Sequence, residues 1–306
     1  MSPIYPLNIP VAQICNSSWT TASEYASFVL HIKNLCSNYP SIIMSYSADF
    51  DSKVHASLIA EQFNDWGINV FMPESPTPIS ALSYAITIKS MPIGLYIEEV
   101  KESGSVRLIP ISSHGGLFDQ QDLNTSYVST NSKKGVTGTT DILGLYIKHL
   151  VGFADPYIEK GISFSILNNP FKELMKLMEN NEVLKILFER DDNGPKATLS
   201  DNGCSLTIEE NGSVISTEQI ATKIAKYLKE ERYSTGTIMV PKGNIGSFSL
   251  FGEIEEIEGN SYDLSYSAAF SNLFLGWWPD GLIAMQGSSC FGDGLLAAIY
   301  YLESFR

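Results

Sequence analysis

Ser41-Ile42-Ile43-Met44 runs directly into Ser45-Tyr46-Ser47-Ala48-Asp49, then through Glu61-Gln62-Phe63 to Asp65-Trp66-Gly67-Ile68-Asn69-Val70-Phe71. Ser75-Pro76-Thr77-Pro78 follows, and later Gly94-Leu95-Tyr96-Ile97-Glu98-Glu99-Val100-Lys101-Glu102. The apolar run at 41–45 reads as a strand, with a helix from about 52 to 66 and a second strand at 68–72. Pro73, Pro76 and Pro78 punctuate a turn ahead of a helix over about 79–88. Short apolar strands alternating with helices imply βαβ units and a mixed or parallel sheet. Upstream, residues 19–36 carry Tyr25, Phe28, Val29, Ile32 and Leu35 at helical spacing.

Downstream, residues 120–138 are rich in Ser, Thr, Asn and Gly and read as a surface loop. Asp141-Ile142-Leu143-Gly144-Leu145-Tyr146-Ile147 begins a helix. A strand is expected at 162–167, a helix over 171–182 and a strand at 197–201. Asn211-Gly212 between Leu206-Thr207-Ile208 and Ser213-Val214-Ile215 is a hairpin signal. Ser216 or Thr217 is placed to cap the long helix that follows. Gly236-Thr237-Ile238-Met239-Val240 reads as a strand, and the acidic stretch 252–258 alternates with period two as a half-exposed one. The chain ends on Phe291-Gly292-Asp293-Gly294-Leu295-Leu296-Ala297-Ala298 and a further apolar helical run.

The length of 306 residues suits about two domains with a normal core. Hydrophobic content of 44% with 18% charged residues marks a folded chain. A net charge of −14 argues against nucleic acid and anionic membranes as partners, though a basic pocket for a polyanion stays open. Cys15, Cys36, Cys204 and Cys290 are scattered, which suits free thiols in a reducing cytoplasm. Neither a signal-peptide pattern nor an apolar run long enough to span a bilayer is visible, so a cytoplasmic location is expected.

The segment order resembles the alpha-D-phosphohexomutase superfamily (phosphoglucomutase/phosphomannomutase), in which a strand, a helix, a Gly-Ile-x-Val strand and a Pro-Thr-Pro turn lead to the catalytic serine. Gly67-Ile68-Asn69-Val70, Pro76-Thr77-Pro78, Asp141 to Tyr146 and Asp293-Gly294 to Glu303 carry the likeness. It implies an α/β protein of three phosphohexomutase-like domains, each a mixed sheet flanked by helices: 1–155, 156–234 and a shortened 235–306. The superfamily's fourth, phosphate-binding domain is expected to be absent.

The same resemblance implies four catalytic parts, because the reaction is two phosphoryl transfers and depends on positioning and electrostatics. Where the family has Thr-x-Ser-His-Asn-Pro, this chain has Glu98-Glu99-Val100-Lys101-Glu102-Ser103; the serine falls on Val100, which has no nucleophilic oxygen. The family's Asp-Gly-Asp-Gly-Asp-Arg loop falls on Leu199-Ser200-Asp201-Asn202-Gly203-Cys204, leaving Asp201 as a vestige. Mg²⁺ needs a cluster of hard oxygen ligands, so no metal or other cofactor is expected. The sugar-gripping Gly-Glu-x-Ser-Gly falls on Gly276-Trp277-Trp278-Pro279-Asp280. Trp277 and Trp278 are candidates for stacking on a sugar, although such a pair more often splits between core and surface. The phosphate clamp belongs to the missing domain, and residues 1–18 contain no Lys or Arg.

Remaining candidates are single residues. Ser113 and His114 echo the lost motif as a fallback nucleophile and base, against an ordinary solvated turn. Lys101, Arg107 and Lys196 are cations near the expected cleft, each with a solvated surface as its default. Glu98 and Glu99 are adjacent on a strand and face opposite sides, a poor acid/base pair. The histidines lack ligand spacing, and Asp191-Asp192-Asn193-Gly194-Pro195 reads as a turn. Expected, then, is a non-catalytic phosphohexomutase-like protein with a binding or regulatory role. Its partners would be a sugar phosphate, its own copies or an active enzyme. The rival is a mutase-type phosphotransferase with a relocated site.

Overall fold

A computed structural model of the chain describes residues 3–36, 40–49, 51–119, 133–155, 165–167, 171–187 and 194–305. The chain divides into two compact units, Met1–Ile142 and Leu143–Arg306. The first comprises β1 (Leu7–Pro10), α1 (Val11–Cys15), α2 (Ala26–Leu35), β2 (Ser41–Tyr46), α3 (Ser52–Asp65), β3 (Asn69–Met72), α4 (Ile79–Lys89), β4 (Ile93–Val100), β5 (Ser105–Ser112) and β6 (Thr137–Thr139). Its sheet has the order β1-β5-β4-β2-β3-β6. β4, β2, β3 and β6 run parallel, while β5 is antiparallel to both β4 and β1.

The central strand β2 is buried from Ile42 onward, as a continuous apolar run covered on both faces requires. α3 presents Ala56, Ile59, Ala60 and Phe63 to the core, the spacing of an amphipathic helix. It stops at Trp66, and Gly67 (φ 79°) carries the left-handed residue that follows. α4 lies against β4 at Gly94, where a Cβ would come within 1.9 Å of the Ile86 Cδ1. The helix expected across 19–36 is shorter than its pattern: two 3₁₀ turns, Ser18–Thr20 and Ser23–Tyr25, precede α2. Trp19 is nevertheless fully buried in the main core and meets Phe63 edge-on, with centroids 6.5 Å apart.

The second unit begins with α5 (Leu143–Phe153) and continues through β7 (Ser165–Leu167), α6 (Lys172–Glu179), α7 (Glu182–Leu187), β8 (Lys196–Leu199), β9 (Leu206–Glu210), β10 (Ser213–Ile215) and α8 (Thr217–Glu230). β11 (Thr237–Pro241), β12 (Glu253–Ile257), α9 (Ser261–Ala269), β13 (Leu273–Trp277), β14 (Ile283–Met285) and α10 (Gly294–Glu303) complete it. Its sheets have the orders β10-β9-β8-β7 and β12-β11-β13-β14, both mixed. Asn211 and Gly212 turn the β9–β10 hairpin with positive φ. Ser216 caps α8, with Gln219 closing a reciprocal box. The helix expected over 171–182 is α6, which ends at Glu179; a further short helix, α7, follows it. The polar stretch 120–132 and residues 191–193 of the turn expected at 191–195 lie outside the described residues.

α10 is held by two buried carboxylates. Asp293 caps it, accepting from the Leu296 N–H, the Tyr146 hydroxyl (2.5 Å) and the Ser288 hydroxyl. Glu303 accepts from the Tyr227 hydroxyl (2.7 Å), Arg232 (2.9 Å) and the Asp155 N–H (2.6 Å). Among the described residues no helix is long and apolar enough to cross a membrane.

Candidate functional site

In the first sheet the chain runs from β2 to β3 on one side, then returns to the other side of β2 as β4. Open α/β sheets bind ligands outside the carboxyl ends of strands at such a reversal, so the mouth between the ends of β2 and β4 is the place to look. Ser47 and Asp49 come from the turn after β2, Ser52 from the start of α3, Thr77 from the Pro-Thr-Pro turn, and Glu98, Val100 and Lys101 from β4 and its end.

A ladder of short polar contacts fills that mouth. The Ser45 and Thr77 hydroxyls are 2.6 Å apart, and the Tyr96 hydroxyl donates to the Thr77 carbonyl. Ser47 donates to Asp49 at 2.7 Å and lies 2.9 Å from the Ser52 hydroxyl. Asp49 meets the Lys101 ammonium at 3.3 Å. The Tyr46 hydroxyl donates to the Glu74 carbonyl, and burial pushes its pKa up to about 12, so it stays neutral. Ser45, Ser47 and Ser52 are buried; a nucleophile needs both access and a base to activate it.

The segment at 98–103 is strand and tight turn. β4 continues through Val100, and Ile93–Val100 pairs residue by residue with Ser105–Ser112, ending on Val100 opposite Ser105. Lys101–Ser103 forms a 3₁₀ turn and Gly104 (φ 56°) completes it. Glu98 and Arg107 are direct cross-strand partners with a 2.8 Å ion pair, and Arg107 also donates to Asn8. Lys101 and Arg107 are thus each engaged by a carboxylate beside the mouth.

Ser113 and His114 are exposed in the turn after β5, closed by the Gly115 N–H on the Ser112 carbonyl. The turn is at the opposite end of β5 from residues 101–104, roughly 24 Å away at the rise of an antiparallel strand.

In the second unit, Asp201 is exposed in a turn bound up by its neighbours. Asn202 Oδ1 accepts from the Ser200 hydroxyl and the Cys204 N–H, while Ser200 Oγ accepts from the Ser205 N–H. The loop offers Asp201 as its one carboxylate, and its amide oxygen is already in use. Among the described residues no three His, Cys, Asp or Glu side chains converge as metal ligands do. Lys196, on β8, is partly buried. Trp277 is buried against Phe248 and donates to the Thr217 hydroxyl. Trp278 is half-buried on the core beneath β13. The tryptophan pair splits between core and edge, and neither ring is presented as an open platform.

Sequence inspection missed Ser47, Asp49 and Thr77. The Glu98–Arg107 pair had a legible signal: both residues are equidistant from the 101–104 turn, as hairpin partners must be.

No family model and no curated protein matches this chain. Solved structures do. A protein of Thermus thermophilus assigned as a phosphomannomutase superposes with a TM-score of 0.70 at 12% identity, over 90% of this chain and 75% of its own. A phosphoglucomutase/phosphomannomutase family protein from Burkholderia thailandensis gives 0.69 at 11% identity, over 98% and 75%. The Paramecium phosphoprotein pp63/parafusin, a phosphoglucomutase in its open form, gives 0.61 at 11%, over 99% and 71%. The chain has the fold of the alpha-D-phosphohexomutases. At these identities the likeness extends to the fold alone.

Proposed function

We propose that this protein is a non-catalytic phosphohexomutase-like protein with a binding or regulatory role linked to sugar-phosphate metabolism. The carrying observation is the unbroken β4–β5 pairing through Val100 and Ser105. A paired hairpin with a valine, at the position to which the resemblance assigns a phosphorylated serine, supports this reading. Asp201 with a committed Asn202 favours no Mg²⁺ dependence. The rival, a relocated site on Ser113 and His114, has to work from an exposed turn at the far end of β5. Four thiols without a disulfide accord with a cytoplasmic setting.

A thermal-melt panel with hexose 1-phosphates, hexose 6-phosphates and glucose 1,6-bisphosphate, with and without Mg²⁺, asks whether a sugar phosphate is still held. A ligand at about 100 times its dissociation constant adds roughly 2.7 kcal/mol, a shift of a few degrees for domains of this size. A Mg²⁺-independent shift with one sugar phosphate supports binding without chemistry. A shift that requires Mg²⁺, with turnover abolished in Ser113→Ala, overturns the proposal in favour of the rival.

A further inference from the structure

β12 is an outer strand of the sheet β12-β11-β13-β14, paired on one side only, parallel to β11 from Thr237↔Glu253 to Pro241↔Ile257. The Lys242 N–H donates to the Ile257 carbonyl, which turns the main-chain groups of Ile257 toward β11. In a parallel ladder the bonds to one neighbour come from alternate residues, so Glu253 and Glu255 also bond inward. The N–H and C=O groups of Ile254 and Glu256 therefore point away from the sheet, and among the described residues nothing hydrogen-bonds to them. Such an edge is a template for strand addition, in which main-chain bonds supply affinity and the neighbouring side chains supply selectivity.

The side chains beside this edge carry a net negative charge. Glu253, Glu255 and Glu256 are exposed, and Glu256 accepts from the Gly243 N–H. Residues 237–263 contain five carboxylates and one lysine, and that lysine, Lys242, pairs with Glu258. From α8, Lys229 reaches the Leu250 carbonyl while Glu218 lies beside Gly246, so the helix brings no neutralising excess. Glu253 and Glu255 share the face of Ile257, on the side of α9, and Ile254 and Glu256 share the other.

A strand laid against β12 sets its side chains directly opposite these residues, with α carbons about 4.5–5.5 Å apart. A lysine or arginine opposite Glu255 is also a diagonal neighbour of Glu253. A second copy of β12 would bring glutamates against glutamates, which is destabilising. We propose that the outer edge of β12 takes an extended basic segment of another protein, added as a strand, with basic side chains opposite the glutamates and an aliphatic one opposite Ile254. Charged side chains also guard an edge against self-pairing; admission of a basic strand separates the two roles.

The probe is a fluorescent hexapeptide, Thr-Lys-Lys-Val-Lys-Thr, titrated into the full chain by anisotropy. In antiparallel register its lysines lie opposite Glu256, Glu255 and Glu253, and its valine opposite Ile254. One control is N-methylated at the first lysine and the valine, which keeps the charge and deletes the edge bonds. The other carries Glu for Lys. Saturable binding of the basic peptide is expected, with none for either control. Ile254→Pro removes an outward N–H and spares the inward bonds of Glu253 and Glu255, a placement that edge strands tolerate. It should weaken binding about tenfold, the worth of roughly one main-chain hydrogen bond. Glu253→Lys combined with Glu255→Lys should turn the preference to the acidic peptide. Melting curves establish that the variants fold, and the methylated peptide carries the main-chain test on the parent if Ile254→Pro does not.

Absence of saturable binding overturns the proposal and leaves the glutamates as guards of the edge. Equal binding of the methylated peptide overturns it in favour of charge attraction without strand addition. Sedimentation showing a dimer that Ile254→Pro dissolves would assign the edge to a second copy instead. Hexose-phosphate turnover would refute the non-catalytic role proposed above without touching this edge, so the two can fail separately.

Discussion

Glu303 is fully buried and receives three donors from different parts of the second unit: Tyr227, Arg232 and the Asp155 backbone. A buried carboxylate is tolerated only when paired and hydrogen-bonded. Burial first, then the adjacent carboxylate, hold the Tyr227 hydroxyl far above its ordinary range. Glu303→Gln keeps the shape but removes the charge, and should lower stability by about 1–3 kcal/mol; urea unfolding measures it. His149 acts in the opposite electrostatic sense. Burial holds its imidazole below the ordinary range, against a smaller upward pull from Asp293, while the ring packs on Tyr146 and Phe153. The folded state thus prefers neutral histidine. Its contribution is complete above an ordinary pKa of about 6.5 and shrinks as pH falls below it, because the unfolded chain takes up the proton first. His149→Phe should lose less melting temperature between neutral and mildly acidic pH than the parent; an equal loss would remove His149 from the acid response.

Among the elements, α4 and β4 depend on one missing side chain. Gly94→Ala would drive a methyl into Ile86, and overpacking of this kind costs about 1–3 kcal/mol. Adding Ile86→Ala should recover part of that loss, a non-additivity that a double-mutant cycle in urea reads directly. Elements of this kind were largely legible in the sequence. The helices expected at 52–66 and 79–88 are α3 and α4 to within a residue, and the strands and hairpin from 197 to 215 form with the Ser216 cap, because period and turn chemistry are local signals. Where tertiary packing decides, local signals failed. Trp19 is recruited to the core by Phe63 and Trp66 from a pair of 3₁₀ turns rather than from a continuous helix. Asn180 and Asn181 divide the helical run after residue 171, with Asn181 Oδ1 accepting from the Val183 and Leu184 N–H groups to start α7.

For the whole molecule, motif order carried the fold and the superpositions bear it out, over 90–99% of this chain at 11–12% identity. The candidate site was only half legible. Val100, Asp201 and the residues at 277–280 can be read as letters, but the contacts that close the mouth cannot. Ser47–Asp49–Lys101 joins residues far apart in sequence, and no local pattern foretells that closure. The proposed non-catalytic role requires that the hairpin at 98–105 carry no phosphoryl group. Intact-mass spectrometry after incubation with glucose 1,6-bisphosphate and Mg²⁺ tests it most directly, on the parent and on Val100→Ser. No phosphoryl adduct is expected on either, because a hydroxyl at position 100 would still sit in a paired strand. A single phosphoserine on the parent, lost together with hexose-phosphate turnover when that serine is replaced, would contradict it.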